Sequence, residues 1–248
     1  MILETQGLTK TFGKLAAVQN ISFGVEEGEI FGIAGPNGAG KSTLFNMVAG
    51  FYPPTSGKVF FNDEDITHLP ADKVCRKGIA RTFQIPSTFH TLNVYDNIRI
   101  GATFGRSGKD HHKHLSDWID DIVDVLDLSE KVHLSATNLD LYTTKVVLLG
   151  AALATDCRLL MLDEPMAGFT IVEIENYLSL VRKIREEKKI TVIIIEHLLD
   201  ILIDVSDRMM IINNGELLYL GDPEKVTEDR RVVDVYLGGK DYKGGHNV

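Results

Sequence analysis

Cysteine is almost missing from this chain of 248 residues. Cys75 and Cys157 are too few for a disulfide framework, which points to a reducing, cytosolic compartment. Both read as small buried or half-buried residues. Long apolar runs are missing as well. No uninterrupted stretch approaches the ~18–20 residues that a membrane-spanning helix needs. Runs such as TVIII (191–195) and LLML (159–162) have the length of buried strands. Met1 opens directly onto a polar, strand-like stretch, so no signal peptide is expected. Positive charge is in short supply: 26 Lys and Arg face 35 Asp and Glu, a formal net charge of −9. Phosphate backbones demand basic surface, so nucleic acid is disfavoured as the main partner. There is no internal repeat, no long linker, and no Asn/Thr-Lys-x-Asp motif of the kind that reads guanine.

What is present is ordinary in composition, with 44% hydrophobic and 25% charged residues. Such a profile suits a soluble globular protein. One large domain over 1–237 accommodates it, followed by a glycine-rich polar tail (238–248) expected to be flexible. Residues 2–33 alternate short β-like runs with turns. SGKVFFNDEDI (56–66) predicts a hairpin around Asn62-Asp63, and the Asn-Gly of MMIINNGELLYLGDP predicts another. Helix signals cover 41–49, 116–127 and 171–187. In the second, Ser116 is the expected cap, and Trp118, Ile119, Ile122, Val123 and Leu126 share a face. In the third, Ile171, Ile174, Leu178, Val181 and Ile184 recur at helical spacing. LLMLD and ITVIII are continuous apolar runs, as expected of parallel strands covered on both faces. Strand-rich sequence brackets a helix-rich middle, about 85–155, read as an inserted subdomain. The histidines of GKDHHKHL (His111, His112, His114) read as a solvated loop rather than a metal site.

The chemistry begins at GIAGPNGAGKST (32–43), which follows a strand and opens a helix. Gly35, Gly40, Lys41 and Ser42 fill the pattern G-x-x-x-x-G-K-S/T. Glycines let the backbone curl so that successive N–H groups point at one anion, and the expected nucleotide-binding stretch is Gly35, Pro36 (which has no N–H of its own), Asn37, Gly38, Ala39, Gly40, Lys41, Ser42 and Thr43. Lys41 supplies a mobile charge for the outer phosphates, and the Ser42 hydroxyl a Mg²⁺ ligand. LLMLDEP (159–165) is an apolar strand ending in two carboxylates. Asp163 suits Mg²⁺, directly or through water. Glu164 is placed to polarise water for in-line attack on a γ-phosphate.

With these motifs the chain resembles the ATP-binding cassette, the motor subunit of ABC transporters, over about 1–237. RTFQ places Gln84 at the family's Q-loop, a γ-phosphate and metal sensor that also faces the membrane subunit. IIIEH places His197 as the switch histidine. Phe12 falls where the family stacks an aromatic on adenine, a contact worth ~1–3 kcal/mol, with Val18 beside it. The resemblance implies an α/β fold: a RecA-like parallel-sheet core, an N-terminal antiparallel β subdomain and an inserted helical subdomain. It implies an ATPase with ATP and Mg²⁺ as cofactors, the metal shared by Ser42, Gln84 and Asp163. It implies membrane-embedded permease subunits docked through about 84–100, a second cassette, an indirectly linked solute-binding protein, and a peripheral place on the cytoplasmic face of the cell membrane. GIARTFQIP, LNVYDNI and EHLLDILIDVSDRMMIINNGELLYLGDPEKV are most similar to the branched-chain amino acid importer subgroup. Its relatives act on urea, short amides and aromatic acids, and more distantly in lipopolysaccharide export. A rival reading, a cassette that binds ATP but hydrolyses little, is opposed by intact Glu164 and His197.

One stretch departs from the family. Where it has LSGGQ, or the looser L-x-Y-G-Q, this chain has Leu139-Asp140-Leu141-Tyr142-Thr143. In family members two cassettes pair head to tail, and this turn of one closes on the γ-phosphate held by the other. Close approach needs a small residue and a free helix N-terminus. Leu141 and Tyr142 are bulky, and Asp140 is expected to cap its own helix. A carboxylate ~4 Å from a phosphate charge, at an effective dielectric of ~20, costs about 4 kcal/mol. Lys145 is expected to offset part of that repulsion. Two readings stay open: the loop shifts slightly and like chains pair, or this chain's Lys41, Asp163, Glu164 and His197 work against an intact signature on an unlike cassette. Phe169-Thr170 also departs from the usual acidic or Asn residue at that place.

Overall fold

The pleat of a strand sends successive side chains to opposite faces, and in four central strands both faces are apolar. That pattern forces cover on two sides. In the computed structural model, which describes residues 1–105 and 114–237, the cover is a sheet on one side and helices on the other. The chain runs β1 (Leu3–Phe12), β2 (Leu15–Val25), β3 (Ile30–Ala34), α1 (Lys41–Val48), β4 (Ser56–Phe61), β5 (Glu64–Asp65), α2 (Ala71–Arg76) and β6 (Ile79–Arg81). It continues through α3 (Val94–Gly105), α4 (Leu115–Val125), α5 (Leu141–Leu153), β7 (Leu159–Asp163), α6 (Ile171–Lys188), β8 (Thr191–Ile195), α7 (Leu199–Val205), β9 (Arg208–Asn213), β10 (Glu216–Gly221) and α8 (Arg230–Leu237).

Two sheets result. The antiparallel one has the order β2-β1-β4-β5, and the six-stranded one β10-β9-β3-β8-β7-β6. In the latter β9, β3, β8, β7 and β6 are parallel, and β10 closes the edge antiparallel. Phe31, Ile33, Leu159, Met161, Ile193 and Ile195 face the core shared with the small sheet and α1. Their neighbours Leu160, Leu162, Val192 and Ile194 face the core shared with α3, α4, α5 and α6. Fully burying such side chains stabilises by about 1.5–3 kcal/mol each. The parallel step from β6 to β7 needs a long crossover, and α3, α4 and α5 provide it. Among the described residues, no helix is long and apolar enough to cross a membrane.

Both expected hairpins form. Asn62 and Asp63 (φ 48° and 62°) turn β4 into β5, and Asn214 and Gly215 (φ 48° and 80°) turn β9 into β10. The helix expected at 116–127 is α4, with Ile119, Ile122, Val123 and Leu126 buried and the Trp118 indole donating to the Ala154 carbonyl at 3.2 Å. Ser116 does not cap it. The cap position is His114, without a side-chain bond, and the Ser116 hydroxyl bonds Asp117 instead. A serine one residue inside the first turn is too far along to reach the free N–H groups from outside. Ile171 also departs from expectation: it is 77% exposed, because the apolar stripe of α6 meets the core only from Ile174 onward. The tail 238–248, and His111 and His112, lie outside the described residues.

Candidate functional site

The parallel strands deliver their loops to one end of the sheet. β3 ends at Ala34 and α1 begins at Lys41, so 35–40 make a tight connection. Gly35 has φ 151°, and a Cβ there would lie 2.1 Å from the Ile212 carbonyl oxygen. Gly40 has φ 105°, and a Cβ would lie 2.3 Å from the Ala17 carbonyl oxygen. Any side chain at either place collides with backbone. α1 carries no acidic residue in its first turn and no side-chain cap, so its N-terminal N–H groups stay available to an anion.

Lys41 is buried, and its ammonium donates to the carbonyls of Gly35 (2.6 Å) and Pro36 (3.0 Å). Burial pushes its pKa down, and Glu164, Asp163 and Glu196 pull the other way. Asn37, Gly38 and Ser42 are exposed, Pro36, Gly40 and Thr43 half-buried, and Ala39 buried. Phe12 is exposed at the end of β1, edge-on to Tyr52 with ring centroids 5.8 Å apart and the Lys10 ammonium 5.3 Å from its own ring. Val18 lies fully buried in the core beneath this loop. It has no surface to give a nucleotide, and its place is to support Gly40 from below, where an added Cβ would meet its Cγ2 at 3.4 Å.

Opposite the loop, β7 ends in Asp163 and Glu164. Asp163 is buried, and its Oδ2 accepts from the Arg81 guanidinium at 2.7 Å. Its Oδ1 is also buried and has no hydrogen-bond partner. Burial pushes the Asp163 carboxyl up, while Arg81 holds it down. Glu164 has φ 46°, the left-handed region, with its N–H on the Ile195 carbonyl (3.0 Å) and Oε2 accepting from the Gln84 amide at 2.6 Å. The structure therefore brings Gln84, Asp163 and Glu164 together. His197 follows β8 and is exposed, and Nδ1 lies 3.7 Å from Glu196 Oε2. Its contact is thus Glu196, not Glu164.

Three residues escaped sequence reasoning. Arg81, three before Gln84, also donates to the Asn46 side chain (2.6 Å) and sits against the rings of Phe45, Phe51 and Phe83, 5.2–5.7 Å from their centroids. An arginine in the apolar run GIAR was its signal. Glu196 is 1% exposed, its Oε1 accepting from the Met166 N–H at 3.1 Å, and burial pushes its carboxyl up. Tyr52 completes the aromatic surface at Phe12.

Asp140 is the N-cap of α5, its carboxylate accepting from the Thr143 N–H at 2.6 Å. That bond holds its pKa below the ordinary carboxylate value. Lys145 corrects an expectation. Its ammonium does not face outward to offset Asp140. It is buried and donates to the Pro165 and Ala167 carbonyls, both at 2.8 Å.

A glycine loop between a parallel strand and a free helix N-terminus, facing a strand that ends in paired carboxylates, defines a P-loop ATPase. The comparisons narrow this further. The family model described as ABC transporter matches residues 18–167, and the chain belongs to that family of ATP-hydrolysing transporter subunits. It is 34% identical to the high-affinity branched-chain amino acid transport ATP-binding protein BraF of Pseudomonas aeruginosa, over 96% of this chain and 98% of that one. It is 37% identical to the probable branched-chain amino acid transport ATP-binding protein LivG of Archaeoglobus fulgidus, over 97% and 96%. Its structure is similar to the ADP conformation of MJ1267, an ATP-binding cassette of an ABC transporter, with a TM-score of 0.87 and 32% identity over 96% of this chain and 98% of that one.

Proposed function

We propose that this chain is the ATP-hydrolysing subunit of an importer for branched-chain amino acids or similar small polar solutes, peripheral on the cytoplasmic face of the membrane. The branched-chain transport relatives support the solute class. A solute-binding protein would deliver the solute to the permease. The permease would dock beside Gln84, where Phe83, Ile85 and Phe89 are exposed at 54%, 80% and 59%. A cavity of about 470 Å³ adjoins them, lined by Phe51, Cys75, Arg81, Phe83, Ile85 and Leu148 among others. Apolar side chains left in water beside a cavity suit an inserted helix of a partner.

In this reading Phe12 stacks on adenine, the N–H groups of 35–43 and the Lys41 ammonium take the phosphates, and Glu164 polarises the attacking water. Gln84 orients Glu164 through the bond described. His197 senses the γ-phosphate. The residues fit Mg²⁺: Asp163 Oδ1 is a buried acceptor awaiting a partner, Gln84 is exposed and bonded to the neighbouring Glu164, and the Ser42 hydroxyl is exposed at the start of α1. Among the described residues no group of three or more His, Cys, Asp or Glu could hold a metal alone. The ion would share its ligands with the nucleotide, as Mg²⁺ commonly does. When bound it neutralises charge developing on the phosphate oxygens.

The second cassette is proposed to differ from this one. The carrying observation is the 2.6 Å bond from the Thr143 N–H to Asp140. The helix end that a partner's phosphate would need is already capped by a carboxylate. The test is ATP turnover by the purified chain across protein concentration, with Glu164→Gln as control. Tight ATP binding without turnover above the control is the expected result. A rate per chain that rises with concentration and vanishes in the control would mean that like chains pair.

A further inference from the structure

Glu164 occupies a left-handed conformation that L side chains disfavour, and such a conformation persists only where its surroundings over-determine it. The surroundings are identifiable. The Lys145 ammonium, 7% exposed as a residue, donates to the Pro165 and Ala167 carbonyls at 2.8 Å and reaches the Glu164 carbonyl at 3.5 Å. From the other side Glu196 accepts from the Met166 N–H. The Phe169 ring lies 5.3 Å from Tyr142 and 5.7 Å from Tyr177, with the ammonium 5.0 Å from its centroid. Leu141 closes on Gly168, where an added Cβ would meet Leu141 Cδ2 at 2.9 Å. The N-terminal end of α5, its first turn and Lys145 just beyond, is thus fastened to loop 164–169 by one charge, one aromatic pair and one apolar contact, all within one chain.

An ammonium has three donors and no acceptor, which matches a pocket of three carbonyl oxygens. We propose that Lys145 is a positioning residue for ATP hydrolysis: it fixes loop 164–169, and so Glu164, to the N-terminal end of α5, and transmits movement of that end to the carboxylate in cis. The turn whose sequence departs from the family's is then still coupled to catalysis, through its own chain. The inference rests on the reading that Glu164 serves hydrolysis.

The experiment compares wild type, Lys145→Met, Lys145→Arg and Glu164→Gln in the assembled transporter. It measures kcat and KM for ATP there, and amide hydrogen exchange on the full-length chain. K145M is expected to lower kcat roughly tenfold or more with KM within about twofold, the signature of a lost transition-state contribution. Exchange at 164–169 should rise while that of 35–43 stays unchanged. K145R, which keeps the charge and donors but not the compact ammonium shape, should restore both in part. The proposal is overturned if K145M keeps wild-type kcat and exchange, if K145R rescues neither, or if KM and kcat worsen together with exchange rising throughout the chain. If K145M does not fold, Lys145→Gln, a neutral donor, takes its place under the same criteria. Equal turnover by wild type and E164Q would sink the hydrolysis reading instead, and the exchange data would still test the clamp.

Discussion

At the scale of single residues, burial decides what each charge can do. Arg81 and Asp163 form an ion pair with side-chain exposures of 7% and 5%. Removing one partner of such a pair leaves the other without compensation, at a cost of about 3–5 kcal/mol. Arg81→Met is therefore expected to destabilise by that order, read as a lower denaturant midpoint, with Arg81→Lys intermediate because an ammonium cannot bond Asp163 and Asn46 as a planar fork does. Glu164 makes the opposite point. Its left-handed φ costs a non-glycine residue roughly 1–2 kcal/mol. Glu164→Gly is expected to be about 1 kcal/mol more stable than Glu164→Ala in a thermal melt, by relief of that strain, and both variants should be inactive. The glycine loop with Lys41, and the strand end with Asp163 and Glu164, were legible as elements because each motif is local in sequence. Arg81, Lys145 and Glu196 were not, since a buried charge is explained only by partners remote in sequence.

At the scale of elements, helix ends carry the testable energies. The Asp140 cap of α5 should contribute about 1 kcal/mol, and Asp140→Ala should remove it. Because the Thr143 N–H depresses this carboxyl in the folded chain, its contribution is complete above the unfolded value of roughly 3.9. It is lost as pH falls through the lower folded value. The stability gap between wild type and D140A, measured by melts at several pH values, is expected to be full at pH 6 and to close in acid below about 4. α6 begins with a capping box: Thr170 accepts from the Glu173 N–H, and Glu173 Oε2 accepts from the Thr170 N–H at 2.7 Å. Phe169-Thr170, read from sequence as a departure from the family, is locally an aromatic wedge and a cap. The two Asn-containing turns were readable because they demand positive φ. The Ser116 cap was misread because several polar residues precede α4, and only the backbone path selects among them.

At the scale of the molecule, the outcome turns on whether two copies can close on shared ATP. Asp140→Ser with Leu141→Gly removes the charge and the bulk from the start of α5, keeps a neutral cap there, and leaves Tyr142 on Phe169. If charge and bulk at this turn block pairing, the double variant alone should gain concentration-dependent ATP turnover by roughly tenfold or more, since about 4 kcal/mol of repulsion is removed. A stable variant that binds ATP and gains nothing would locate the obstacle elsewhere.

The sequence by itself determined the class of chemistry and the layers of the fold. A phosphate loop needs glycine where a Cβ would strike backbone, and doubly covered strands need apolar residues at every position, so both leave local patterns. Only the tertiary structure decided how the site is wired. Gln84 and Glu164 are 80 positions apart, Arg81 and Asp163 82, Lys145 and Ala167 22. Ion pairs and hydrogen bonds depend on distance in space, and no local pattern encodes a partner that the fold alone brings near.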